Sequence, residues 1–279
     1  MSGLPAPLAD LIARGRSGSG PIVVLTGAGI SAESGIPTFR GPEGYWTVGS
    51  THYRAEELAT FAAFSQMPEE VWAWYLYRRS GCRQAEPNAA HRALVTLEAA
   101  LGDRFLLVTQ NVDGLHPRAG NSAERTYAIH GNLDLRRCAN ECGAPIAPFD
   151  APALDDWAKG RALTGAEAAL LRCDRCGGWL RPHVLWFDEC YDEARYRFDS
   201  SLRAAHTADL LLVIGTSGAT NLPNQMCETV HARGAPFVVL NRDPSPFSRL
   251  AEASEHGVFA PGDAASALPP IVAALTAPG

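Results

Sequence analysis

Apolar residues along the chain fall in short unbroken runs more than in strict alternation. Ile22–Leu25, Phe105–Val108, Ala128–Ile129, Val184–Phe187, Leu210–Ile214 and Phe237–Leu240 each read as a strand. Helical patterns lie between several of them, as over His91–Ala100 and Asp192–Ala205. Alternating strand and helix predicts an α/β fold: a Rossmann-like parallel sheet with helices on both faces. Two stretches interrupt that rhythm. Residues 45–90 look mainly helical and carry Trp72, Trp74, Tyr75 and Tyr77, and residues 136–181 are rich in cysteine, proline and glycine. Both read as insertions that form one smaller module over the sheet. The expected division is 1–44, 91–135 and 182–279 for the Rossmann-like domain, with 45–90 and 136–181 as the helical and metal-binding parts of the small one.

The ends of the predicted strands carry the candidate chemistry. Gly27-Ala28-Gly29 follows the first strand and, with Ala32, fits the loose pattern G-x-G-x-x-G/A. Such a loop lets backbone N–H groups approach a pyrophosphate, but the short pattern also describes an ordinary tight turn. The acidic residue that a dehydrogenase half carries about 20 positions further on is not identifiable. Gln110, Asn111 and Asp113 stand at the end of the second strand, where open α/β sheets place ligands and where an Asx-type turn is equally at home. His130-Gly131 ends the next run. An imidazole there can be structural, or can serve as a base near neutral pH.

Cysteine spacing adds a metal. Cys138-x3-Cys142 and Cys173-x2-Cys176 are two close pairs, suited to tetrahedral zinc with four thiolate ligands. Four protein ligands leave no open position, so the zinc is expected to be structural. A redox Cys-x-x-Cys accounts for one pair only. The bulk properties narrow the class further. The chain has 279 residues, 46% of them hydrophobic, a formal charge of −6 and a pI near 5.8. That balance argues against general nucleic-acid binding. No run approaches the roughly 18 apolar residues of a membrane span, and residues 1–20 lack the apolar core of a secretory signal. The expectation is a cytoplasmic protein with reduced thiols, no membrane partner and a monomeric state.

Read at full length, the run Gly27 to Gly41 with Thr109-Gln110-Asn111-Val112-Asp113-Gly114-Leu115-His116 resembles the signature of the sirtuins, NAD-dependent protein lysine deacylases. The resemblance extends from about Gly20 to Leu275. It implies that NAD is a consumed co-substrate held by Gly27, Ala28, Gly29, Glu33, Thr38, Phe39 and Arg40, with Gln110, Asn111 and Asp113 around the nicotinamide ribose. It further implies Gly215, Thr216 and Ser217 at phosphate or ribose, and Asn241, Asp243 and Ala264 on the adenosine side. In the implied reaction the acyl-lysine carbonyl oxygen attacks the ribose as nicotinamide leaves. His130 then acts as general base, and the acyl group ends on ADP-ribose. A zinc ribbon at Cys138, Cys142, Cys173 and Cys176 belongs to the same pattern.

The substrate side of the resemblance lies in Val184, Trp186 and Phe187, a segment to which an extended acyl-lysine peptide can add as a strand. Tyr75 and Arg78 share one helical face. On their own they describe an aromatic helix with a solvated arginine. With their surroundings, and with Ala55 as a small pocket residue, they resemble the subgroup that removes succinyl, malonyl or glutaryl groups, in which Tyr and Arg bind the distal carboxylate. The chain departs from the family at Asp188, usually Gly, and at Gly218–Pro223, usually more apolar with Pro one position earlier. Alternatives compatible with the same motifs are an NAD glycohydrolase, a mono-ADP-ribosyltransferase and a non-catalytic ADP-ribose-binding module.

Overall fold

The computed structural model describes residues 3–38 and 55–277, with the side chain of Ala55 outside that description. Six parallel strands form the main sheet: β1 (Ile22–Thr26), β2 (Phe105–Thr109), β3 (Thr126–Ala128), β7 (Leu210–Ile214), β8 (Phe237–Asn241) and β9 (Gly257–Pro261). Their order is β3-β2-β1-β7-β8-β9. A smaller antiparallel sheet, ordered β5-β4-β6, holds β4 (Gly131–Cys138), β5 (Ala147–Pro148) and β6 (Leu180–Val184).

The unbroken apolar runs are explained by burial on both faces of the main sheet. Successive side chains of a strand point to opposite sides. Ile22 and Val24 accordingly join one core, with the helices Ala6–Ser17, Ala89–Leu101 and Ala264–Thr276. Val23 and Leu25 join the other, with Phe198–Thr207, Asn221–Ala232 and Pro246–Glu252. A third core lies apart from both. It gathers Leu58, Phe64, Trp72, Trp74 and Tyr75 with Cys138, Phe149, Trp157, Cys173 and Trp186. Residues of the two interrupting stretches therefore share one apolar centre. Arg79 ties them further: its guanidinium donates to Asp134 on β4 (3.0 Å), to Asp155 (2.6 Å) and to the Phe149 carbonyl (3.1 Å).

Several elements differ from their sequence patterns. The run Val184–Phe187 is not a strand of the parallel sheet. The strand there is Leu180–Val184, paired antiparallel with β4, and Leu185 to Phe187 turn away from it. Their apolar character serves Trp186, which packs between helices. Pro182 is tolerated because β6 is an edge strand. β4 and β9 were not foreseen: β4 carries Asp134, Arg136 and Arg137, and β9 has only the short run Val258–Ala260 on a half-exposed edge. The helix foreseen over Asp192–Ala205 is two helices, Glu193–Tyr196 and Phe198–Thr207, broken at Arg197 with φ 55°. Residues 6–17 form a helix that buries Leu8, Leu11 and Ile12 against the sheet, despite a glycine- and proline-rich composition around it. No described helix is long and apolar enough to cross a membrane.

Candidate active site

The strand order changes direction between β1 and β7, since the chain proceeds from β1 outward through β2 and β3 and returns to the other side of β1. In open α/β sheets, the crevice at the carboxyl ends of such a pair receives the ligand. Gly27-Ala28-Gly29 ends β1 there, and Gly215-Thr216-Ser217 ends β7. The two loops touch backbone to backbone: Gly27 N–H donates to Ile214 O (2.9 Å) and Gly29 N–H to Gly215 O (2.7 Å). A Cβ at Gly29 would stand 2.6 Å from the Gly215 Cα, and one at Gly215, whose φ is +62°, 2.4 Å from the Ile30 nitrogen. Glycine is required at both positions for the loops to approach. Asn241 at the end of β8 donates to the Thr216 carbonyl (2.8 Å), and Gly262 N–H donates to Asn241 O (3.0 Å). Glu33 meets Arg242 at 3.4 Å, Asp243 is exposed, and the Ala264 methyl lies in the core beneath the crevice. Thr38 is half-buried at the end of the described segment, while Phe39 and Arg40 lie outside the described residues.

Behind this crevice lies a buried polar cluster. Ser31 donates to Asp113 Oδ2 (2.7 Å) and accepts from Asn111 Nδ2 (3.1 Å). His91 Nδ1 accepts from Asn88 N–H, which leaves Nε2–H to face the Ser31 oxygen at 3.5 Å. Asp113 also accepts from Leu115 N–H (2.9 Å). Burial raises its carboxyl above the ordinary range, against the pull of these hydrogen bonds. His116 closes the cluster, with Nε2 3.0 Å from Thr26 Oγ1 and its ring 4.9 Å from that of His91. Burial pushes His91 down to about 4 and His116 to about 3, so both are neutral near pH 7. The sequence pattern assigned roles to Asn111 and Asp113 but none to Ser31 or His91. The place of Ser31 in the quoted loop was the one available signal.

His130 lies on the other wall. Its Nδ1 is 3.1 Å from Gln110 O, and its Nε2 is 2.7 Å from the Tyr191 hydroxyl. Burial lowers it to about 4, with the hydrogen bond to the Gln110 carbonyl opposing. The Gln110 side chain bridges the two strand ends: Nε2 donates to Thr216 Oγ1 (2.9 Å) and Oε1 accepts from Thr220 Oγ1 (2.9 Å). Thr220 belongs to the Gly218–Pro223 stretch, and Tyr191 was not foreseen at all.

A short segment connects His130 to the small module. Leu185 N–H donates to His130 O, and Phe187 N–H to Ala59 O, each at 3.0 Å. Trp186 between them is buried and donates its indole N–H to the Tyr75 hydroxyl (2.8 Å). Arg181 lies 3.4 Å above the Trp186 ring and grips Glu189 with both terminal nitrogens, one at 2.8 Å. Burial works to raise the Glu189 carboxyl, but the Arg181 hydrogen bonds and charge outweigh it and hold it low. Val184 is buried and Phe187 is 60% exposed beside the cleft.

Asp188 does not cap a following helix. Its carboxylate accepts from Phe61 N–H (2.7 Å) and Ala62 N–H (3.0 Å), and so caps the helix Phe61–Gln66 of the small module. Tyr75 and Arg78 are both buried on the helix Pro68–Gln84, with the Arg78 guanidinium 4.6 Å from the Trp74 ring centre and 5.5 Å from that of Tyr75. Burial raises the Tyr75 phenol and keeps it protonated. Ala55 starts the helix Ala55–Leu58.

The four cysteines converge. Their sulfurs all lie within 4.8 Å of one another, with Cys138–Cys176 at 3.5 Å and Cys142–Cys173 at 3.7 Å. A zinc–sulfur bond of 2.3 Å in a tetrahedron sets the sulfur–sulfur edge at about 3.8 Å, so a structural zinc ion fits this donor set. Cys82, Cys190 and Cys227 stand outside it, and no disulfide is formed among the described cysteines.

These features have counterparts in known proteins. The family model described as Sir2 family matches residues 27–221. An NAD-dependent protein deacylase of Leptospira interrogans is 40% identical over 263 residues, covering 94% of this chain and 96% of that protein. The mitochondrial NAD-dependent protein deacylase sirtuin-5 of Danio rerio is 40% identical over 238 residues, 81% of this chain and 75% of that protein. A solved complex of a Sir2 homologue with NAD superimposes with a TM-score of 0.77 at 34% identity, over 98% of this chain and 94% of that one.

Proposed function

The chain belongs to the Sir2 family and is an NAD-dependent protein deacylase, and within that activity we propose that it prefers acyl groups ending in a carboxylate (succinyl, malonyl, glutaryl) over acetyl. The observation that carries the preference is the buried pair Tyr75 and Arg78. They stand nearly one helical turn apart, next to the Trp186 segment that hydrogen-bonds the backbone of His130. Trp186 occupies an acceptor position of the Tyr75 oxygen, and among the described residues no acceptor takes the phenol proton. A carboxylate reaching this place meets one phenol O–H and one guanidinium in a dry setting, where a charge-assisted bond is strong. An acetyl methyl offers neither group a partner.

NAD, when bound, supplies an electrophilic ribose carbon with nicotinamide as its leaving group. The close-packed loops at Gly27–Gly29 and Gly215–Ser217 let its phosphates approach the backbone; the Gly27, Gly29 and Gly215 N–H groups are engaged within the sheet, so those of Ala28, Thr216 and Ser217 are the ones offered. Ser31, Asn111 and Asp113 form a rigid polar patch for the nicotinamide end. Asn241 and Asp243 serve the adenosine end. His130 is the general base, held neutral by burial, and Val184, Trp186 and Phe187 line the peptide side. The Leu185, Trp186 and Phe187 N–H groups are all engaged within the chain, so this segment offers an incoming peptide its carbonyls and the Phe187 ring. The zinc site keeps the small module folded and takes no part in the chemistry.

Incubation with NAD and paired succinyl- and acetyl-lysine peptides, read by mass spectrometry, tests the reading. Expected is loss of the succinyl mass with one nicotinamide released per peptide, faster than loss of acetyl. Nicotinamide release without any change of the peptide would overturn deacylation, and equal rates on the two peptides would overturn the preference.

A further inference from the structure

The hydrogen bonds of His130 leave an unexpected arrangement at the base. The Gln110 carbonyl can only accept, so the Nδ1 beside it carries the imidazole proton. The lone pair that must take a proton is then on Nε2. That nitrogen is not open to the cleft, because the Tyr191 hydroxyl lies 2.7 Å from it and, facing a lone pair, donates to it. Tyr191 is itself fixed. Its ring stacks on Phe198 with centroids 5.9 Å apart, and Thr220 lies near its hydroxyl. Thr220 in turn donates to Gln110 Oε1, whose amide nitrogen donates to Thr216 at the end of β7. The Tyr191 oxygen thus stands between the base and the polar wall of the crevice. Both interactions come from segments where the chain leaves the family pattern: Thr220 within Gly218–Pro223, and Tyr191 three positions after Asp188.

We propose that Tyr191 is a proton relay, through which His130 acts on the ribose hydroxyl. This rests on the deacylase reading and on His130 as its base. The step balances without any further reactant. As the ribose oxygen attacks the acyl carbon, its O–H bond breaks and its proton passes to the Tyr191 oxygen. The Tyr191 O–H bond breaks in the same movement, and that proton forms the Nε2–H bond of His130. Tyr191 ends neutral, His130 ends as imidazolium, and the charge is returned when the product is reprotonated. A concerted transfer suits this tyrosine, since burial pushes its phenol up to about 12 and a free phenolate is unfavourable. The relay leaves the earlier loss of nicotinamide untouched, because no proton from the ribose moves in that step.

Two experiments decide it. In the NAD-free protein, NMR of the His130 ring nitrogens reads tautomer and pKa directly. Expected is the Nδ1–H form with Nε2 accepting a hydrogen bond. In Tyr191→Phe, the loss of a donor that favours the neutral ring raises the His130 pKa by roughly one unit. An Nε2–H ring, or a pKa unmoved by the substitution, overturns the proposal. In kinetics, Tyr191→Phe is expected to lower kcat for acyl transfer on the order of 10²-fold. Single-turnover nicotinamide release should be unchanged, and the acid limb of kcat/KM should move to higher pH. Turnover at or above wild type would show a gate that must leave, and overturns the relay. His130→Ala separates the two claims. If it retains acyl transfer, the base assignment fails. If it is inactive while Tyr191→Phe turns over normally, only the relay fails. The substitution removes one oxygen and keeps the stacked ring, and an unchanged melting temperature confirms that the fold is intact.

Discussion

The floor and the wall of this cleft are built on different principles. The floor, at the ends of β1 and β7, is made of backbone: glycines that let loops touch, and strand ends whose N–H groups bond the carbonyls of the neighbouring strand or loop. The wall, between the small module and the segment 185–191, is made of side-chain contacts, most of them between distant parts of the chain. Arg79 joins Asp134 and Asp155, Arg181 joins Glu189, Trp186 joins Tyr75, and Asp188 joins the start of Phe61–Gln66. A floor of that kind suits an invariant part of the ligand, the dinucleotide. A wall of that kind can be altered one residue at a time, which suits the part of the substrate that varies.

The difference is open to test, and metal removal should have the largest effect. A small module that shares its core with Cys138 and Cys173 depends on the zinc for its folding energy. Trp72, Trp74, Trp157 and Trp186 lie in that core and Trp179 packs against it, so tryptophan emission reports the wall alone among the described residues. A strong chelator, or Cys173→Ser, should shift emission to the red and abolish activity, while most of the helical circular dichroism of the main sheet's helices survives. Loss of both signals together would mean that floor and wall are one cooperative unit.

Gly29→Ala is the complementary break. The new Cβ would press on the Gly215 backbone at 2.6 Å, where no flexible side chain can yield. Such overpacking costs about 1–3 kcal/mol, and NAD binding measured by calorimetry should weaken by at least about tenfold with tryptophan emission unchanged. An unchanged affinity would show that the loops need not touch.

The floor was legible in the sequence and the wall was not, for physical reasons. The glycine loop, Gln110-Asn111-x-Asp113 and the cysteine pairs are local patterns, and a parallel strand buried on both faces announces itself as an unbroken apolar run. The small sheet hides its strands: β4 is charged because its polar residues bind Arg79 and Glu189 rather than water. Val184–Phe187 misled because the burial of Trp186 comes from aromatic packing and not from sheet pairing. Asp188 and Tyr191 act on residues far away in the chain, Phe61 and His130, and nothing in spacing or composition announces such a meeting.

A smaller effect is expected where the two regions are fastened. Asp188→Ala removes two acceptors from the start of Phe61–Gln66 and should cost about 1 kcal/mol in thermal or urea unfolding. It should also raise KM for the peptide more than it lowers kcat, since Phe187 loses its anchored neighbour. A change in kcat alone would place Asp188 with the chemistry instead.

The preference for acidic acyl groups is the central claim, and Arg78→Met addresses it most directly. The ratio of kcat/KM for succinyl over acetyl peptide, measured in the same sequence context, should exceed one in the wild type. In the variant the ratio should fall below one, with the acetyl value held or raised because methionine fills the same space without charge. A wild-type ratio at or below one, or a ratio that Arg78→Met leaves where it was, would contradict the account.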